Sequence, residues 1–187
     1  FSEEPLKTLY NMPYEIVGVL TQPDKKQGRG LRSRTNKIKT LALDLGLKIL
    51  DIADLKTDDA LAEIKSLKPD VILTASYGNF IPENILDLAA IEALNIHPSL
   101  LPKWRGAAPI QRAIMSRDKK IGVSIMKIEE QLDSGPVLIS NELELDQNAT
   151  HGEIEKKLST MGANLLIESL KNIEEGNLEI DDPVEKK

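Results

Sequence analysis

Asp70-Val71-Ile72-Leu73-Thr74-Ala75, a helix-period stretch over 82 to 90, and then Ala93-Leu94-Asn95-Ile96-His97 decide the fold class of this chain. The two apolar, β-branched runs read as buried strands and the stretch between them as a crossover helix, which together make a right-handed βαβ unit with parallel strands. The same alternation continues in both directions. Upstream, Glu15 to Leu20 and Leu47 to Leu50 read as strands, with helices predicted over 36 to 46 and 57 to 67. Downstream, a helix is predicted over 108 to 117, strands near 121 to 128 and 136 to 146, and a last helix from 151 to 174 that Gly176 stops. This spacing predicts an α/β fold built on a doubly wound, mostly parallel sheet. Ligands of such sheets bind beyond the carboxyl ends of the strands, which nominates the loops at 21 to 35, 76 to 82 and 97 to 109.

Composition narrows the chemistry. With 41% hydrophobic and 29% charged residues over 187 positions, the chain can bury one core without covalent staples. It has no cysteine, which excludes disulfides and thiolate catalysis, and its two histidines, His97 and His151, lie too far apart in sequence to suggest a dedicated zinc site, so no metal is expected. No run of eighteen apolar residues occurs, and Phe1-Ser2-Glu3-Glu4-Pro5 lacks the basic flank and apolar core of a signal peptide. The expectation is a monomer free of membrane, in the cytoplasm, or in the mitochondrial matrix for an organellar form. The start without Met reads as an incomplete N-terminus. The net charge of −6 conceals a cationic arm: residues 25 to 39 hold seven Lys or Arg and no acid, leaving −13 on the rest. Such an arm on an acidic body suits a specific contact with an anionic partner.

Asn95 and His97 are two residues apart, so on a continuing strand they leave the same face at its carboxyl end and point at one small group. An amide and an imidazole there must find partners or bind something; a satisfied strand-end pair is the plain alternative. Behind them runs Pro98-Ser99-Leu100-Leu101-Pro102-Lys103-Trp104-Arg105-Gly106-Ala107-Ala108-Pro109, a loop stiffened by three prolines. Its leucines could wall a flat ring while freed peptide groups read the ring's edge, or it could be an ordinary crossover into a helix begun by Pro109. Asp133 sits in a Leu132-Asp133-Ser134-Gly135-Pro136 string that a turn explains by itself. If that turn reaches His97, an acid, an imidazole and an amide donor suited to acyl-type transfer come together. The basic loop fails as a dinucleotide fingerprint, because Ser33 stands where the third glycine belongs; its side chains, rather than its backbone, would bind phosphates, unless it is solvated surface. His151, after Thr150, reads as part of a helix start. Gly78, in Tyr77-Gly78-Asn79, could allow close backbone approach to a ligand.

Leu94-Asn95-Ile96-His97-Pro98-Ser99-Leu100-Leu101-Pro102, followed by Arg105-Gly106, resembles the folate-dependent formyltransferase superfamily. Gly106-Ala107-Ala108-Pro109-Ile110-Gln111 is similar to the branch that formylates methionyl-tRNA. Thr21-Gln22-Pro23-Asp24 with Gly28-Arg29-Gly30, the Tyr77-Gly78 loop, and Gly122-Val123-Ser124-Ile125-Met126 leading to Asp133 are colinear supporting matches over roughly 15 to 140. The resemblance implies a Rossmann-like catalytic domain that moves a formyl group from 10-formyltetrahydrofolate to the amine of initiator methionyl-tRNA. Asn95 and His97 would stabilise the developing oxyanion, and Asp133 would orient His97 and help move the proton. Ser99, Leu100, Leu101 and Pro102, with Tyr77 and Gly78, would line the folate site; Arg29, then Arg32, Arg34 and Lys37, would meet the tRNA acceptor arm. The alternatives are formyl transfer to glycinamide ribonucleotide or a nucleotide-linked amino sugar, formyltetrahydrofolate hydrolysis, or a non-catalytic RNA-binding module. The chain departs from the family pattern in starting within the helix that follows the family's first strand and Gly-Thr-Pro-type turn, and in carrying Ser134 and Pro136 for the common Thr and Asp. The expected organisation is therefore a catalytic domain at 1–175 lacking its first strand. Residues 176–187 would begin a linker to an absent C-terminal β-barrel, leaving the chain truncated at both ends.

Overall fold

The computed structural model describes residues 1–22, 25–27, 32–34, 36–146 and 148–177, with the backbone alone at 25–27 and 32–34. The main sheet has four strands, β5 (Val71–Ala75), β6 (Glu92–His97), β7 (Lys120–Lys127) and β8 (Val137–Glu144), in that spatial order. β5 and β6 pair in parallel, as the βαβ reading predicts, while β7 and β8 close the sheet antiparallel. A second pair, β1 (Val19–Leu20) with β4 (Ile49–Leu50), is parallel, and a short antiparallel hairpin joins β2 (Lys25–Gln27) to β3 (Arg32–Arg34). The α/β class stands, with β7 alone running against the other three strands of the sheet.

The sheet's core is written by alternation. On β6, Leu94 and Ile96 are at most 2% exposed and face α6 (His151–Glu174), whose Ile154, Leu158, Leu165, Leu166 and Leu170 recur at helical spacing. Gly162 lets that helix close on the strand: a Cβ there would stand 2.8 Å from the Ile96 side chain. The helix is fixed at its start by a capping box between Thr150 and Glu153, which explains the Thr150-His151 signal without chemistry, and Gly176 follows its end with φ near +70°.

Several predicted boundaries shift for identifiable reasons. The 82–90 helix is one turn, α4 (Glu83–Leu86), because the Ala90 and Ile91 amides are drawn to the carbonyls of Pro69 and Asp70 at the head of β5. The strand expected at Glu15 to Leu20 pairs only at its last two residues. Its remainder, with β5, lines an apolar cavity of about 660 Å³, and all five residues of β5 are only half-buried. α1 (Glu3–Tyr10) covers one side of this space. The remaining helices, α2 (Lys37–Asp44), α3 (Asp58–Ser66) and α5 (Pro109–Met115), fall inside their predicted spans. The linker expected at 176–187 lies, from 178 onward, outside the described residues.

Candidate active site

The parallel register sets Thr74 opposite Asn95, and the antiparallel register sets Ser124 opposite His97. Thr74 Oγ1 donates to Asn95 Oδ1 at 2.8 Å, so the Asn95 amide is oriented with its NH₂ outward, 3.5 Å from Asp133 Oδ1. His97, 5% exposed, sets Nε2 3.2 Å from Asp133 Oδ2. The same carboxylate oxygen accepts from the Gly106 amide at 2.8 Å. One carboxylate thus meets an amide, an imidazole and a backbone N–H, all from the carboxyl end of β6 and the loop after it.

Asp133 reaches across because of its turn. It adopts a positive φ of 47°, and a Cβ on Gly135 would lie 2.2 Å from the Lys127 carbonyl, so only glycine permits the turn to fold back on the end of β7. The turn chemistry read from Asp-Ser-Gly-Pro is therefore what carries Asp133 to His97. Burial pushes the Asp133 carboxyl up, but the hydrogen bond and charge of His97, the Gly106 N–H and the charge of Arg105 together hold it below its ordinary value.

The facing loop is equally constrained. Asp118 accepts from Trp104 Nε1 at 2.7 Å and pairs with Lys103 at 2.8 Å, while the Lys103 ammonium sits 5.3 Å from the Trp104 ring centroid. Trp104, Gly106 and Ala108 all take positive φ, and this clamp on the loop keeps the Gly106 N–H on Asp133. Ser124 Oγ donates to the Ser99 carbonyl and accepts from the Leu101 amide, which pins the start of the loop to β7.

Of the residues expected to line a folate site, Leu100 and Leu101 are half-buried, Pro102 is exposed, and Leu100 lies against Gly122. Ser99 departs from that expectation: it is 1% exposed and spends its hydroxyl on His97 and the Lys103 carbonyl rather than on a wall. Tyr77 packs beside the small cluster of Leu50, Leu55, Ile64 and Ile85, and its carbonyl takes a hydrogen bond from Gln22, which ties the loop after β5 to the end of β1. Gly78 is at φ +73°. Arg32 and Arg34 lie on β3, Lys37 is exposed at the start of α2, and Arg29 lies outside the described residues. Thr74, Ser124 and Asp118 were not singled out in the sequence. Thr74 and Ser124 were visible only as polar residues in apolar strands, and their relevance needs the register.

A family model described as Formyl transferase matches residues 7–170. The chain belongs to the formyl transferase family. Among curated proteins it is 40% identical over 178 residues to a methionyl-tRNA formyltransferase of Marinobacter nauticus, covering 95% of this chain and 57% of that protein. A protein of the same name from Kosmotoga olearia is 38% identical, with 96% and 58% covered. The chain thus spans somewhat over half the length of these relatives. Among solved structures, glycinamide ribonucleotide transformylase 1 from Symbiobacterium toebii superposes with a TM-score of 0.77 at 18% identity, covering 97% of this chain and 87% of that one, which establishes a shared formyltransferase fold. Among the described residues no helix is long and apolar enough to cross a membrane, and no group of three or more His, Asp or Glu could hold a metal ion.

Proposed function

We propose that the protein, in the cytoplasm, transfers the formyl group of 10-formyltetrahydrofolate to the amino group of initiator methionyl-tRNA, with Asn95, His97 and Asp133 as its catalytic residues. The observation that carries the reaction type is the meeting of Asp133 with His97 and Asn95 at the carboxyl end of β6. The donor set suits a formyl carbonyl: the Asn95 NH₂ is aimed by Thr74, and it makes a long contact of 3.5 Å to Asp133. As the amine nitrogen bonds to the formyl carbon, the carbonyl electron pair moves onto oxygen, where Asn95 and His97 donate to it. Collapse then breaks the bond to the folate nitrogen, which gains a proton as the former amine loses one; Asp133 keeps His97 oriented for that exchange. Leu100, Leu101 and Pro102, with Tyr77 and Gly78, would receive the folate.

The acceptor assignment is supported by the curated relatives' names and by the cationic arm. The first turn of α2 carries Lys37 and Lys39 and no acid, the reverse of what a helix N-terminus favours. Phosphates of a tRNA acceptor arm, met by Arg29, Arg32, Arg34 and Lys37, would offset that cost. We also propose that residues 1–175 are the catalytic unit and that the cavity between β1 and β5 seats the strand expected ahead of α1, since the unpaired edges of both strands line it among the described residues.

The test is formyl transfer by the full protein, offered methionyl-tRNA, glycinamide ribonucleotide and a nucleotide-linked amino sugar in parallel. Turnover with methionyl-tRNA alone is expected, and Arg29→Ala should lower the salt slope of tRNA use by about one without changing folate affinity. Preference for either small amine, or formate release without an acceptor, would overturn the assignment.

A further inference from the structure

Ser99 Oγ has one proton and two close neighbours: the Lys103 carbonyl at 2.7 Å and His97 Nδ1 at 2.9 Å. A carbonyl oxygen only accepts, so a 2.7 Å approach between it and a hydroxyl oxygen requires the Ser99 proton to lie between them. That leaves Ser99 Oγ a lone pair for His97, and the Nδ1 contact is satisfied only if Nδ1 carries a hydrogen. The serine cannot turn to serve the ring without abandoning the carbonyl. It is 1% exposed, its own carbonyl is held by Ser124 at 2.8 Å, and its amide donates to the His97 carbonyl at 2.8 Å.

We infer that Ser99 is a positioning residue for formyl transfer: by accepting from Nδ1–H it fixes the plane of the His97 ring and the nitrogen on which the proton sits. This rests on the reading of His97 as catalytic. The opposite edge of the ring follows. Nε2 lies 3.2 Å from a carboxylate oxygen that already accepts from the Gly106 amide, and a bare ring nitrogen there would oppose oxygen lone pairs. With Asp133 ionised, the arrangement closes only when both ring nitrogens carry protons. The groups around the ring are Asp133 from the β7–β8 turn, whose charge is also felt by Arg105, the Asn95 amide two residues back on β6, Ser99, and Ser124 across the strand pair. Ser99 and Asp133 thus grip the imidazole from its two nitrogens, and the Nε2–H that faces Asp133 is the one a reacting oxygen would have to share.

The experiment is ring-nitrogen NMR of the full protein labelled with ¹⁵N histidine, with His97 assigned by its loss in His97→Gln. The wild type should show a protonated, slowly exchanging Nδ1 at neutral pH. Ser99→Ala should convert it to a bare, pyridine-like nitrogen while the backbone spectrum elsewhere is retained, and should lower kcat roughly ten- to a hundredfold with KM for folate little changed. A bare or tautomer-averaged Nδ1 in the wild type overturns the inference and needs no variant to fold. So does a protonated Nδ1 that persists in Ser99→Ala. If the nitrogen signature is as expected but the wild type forms no formylated amine, the network stands and the reaction assigned above fails.

Discussion

The two ends of the molecule's sheet structure are built to different standards. Around β6 and β7, Leu94, Val123, Ile125 and Leu158 are 0% exposed, and the antiparallel partner β8 runs alongside over eight residues. Around β1 and β4 the strands are two residues long, the buried cluster is limited to Leu50, Leu55, Ile64 and Ile85, and a cavity of about 660 Å³ opens between β1 and β5. Asn95, His97 and Asp133 are all mounted on the dense side. The described residues among the proposed acceptor contacts, Arg32, Arg34 and Lys37, lie on β3 and α2, outside that dense part. The contrast teaches that the proposed reacting groups are held by the densely packed part of the sheet. Binding of the large partner is assigned instead to the part that depends on what fills the gap.

Truncations in the two cores should separate most clearly. Leu158→Ala removes a side chain with no exposed area and should cost about 2 to 5 kcal/mol in chemical denaturation, whereas Leu20→Ala at the cavity rim should cost about 1 kcal/mol. Equal costs would erase the distinction. A smaller effect concerns acid. The folded-state pKa of Asp133 lies below its ordinary 3.8, so its contribution is fully present above that value and is lost as pH falls through the lowered one. Denaturant melts between pH 7 and pH 3 should therefore converge for wild type and Asp133→Asn as acid is added. Curves that stay parallel would mean that the carboxylate's partners do not stabilise it.

What the sequence makes legible follows the same division. On the dense side, burial on both faces writes long apolar runs, and the strand limits predicted there fall within two residues of β5, β6, β7 and β8. On the open side, Glu15 to Val17 look like a strand and pair with nothing among the described residues, because periodicity reports burial and says nothing of a partner. The β2–β3 hairpin was read as a loop, since Lys25 to Gln27 and Arg32 to Arg34 carry no apolar alternation. In the site, the i,i+2 spacing of Asn95 and His97 was readable as one face. The reach of Asp133, 38 residues from Asn95, was not, since it depends on the Gly135 approach to Lys127. Thr74 and Ser124 were hidden for a related reason, as register is a property of two strands at once. Ser99 was read only as part of a folate-lining segment, and its bonds to His97 and Lys103 were not legible, because a short polar side chain does not declare which way its hydroxyl turns.

The central claim is that the convergence on Asp133 is a formyl-transfer site. Single-turnover rates with 10-formyltetrahydrofolate and methionyl-tRNA, measured for the full protein and for Asn95→Ala, His97→Ala and Asp133→Ala, test it most directly. The loss of one preorganised donor is worth about 2.7 to 4 kcal/mol in the transition state, so each variant should fall about a hundredfold or more while still unfolding in a single cooperative thermal transition. Near-wild-type rates in all three would contradict the account.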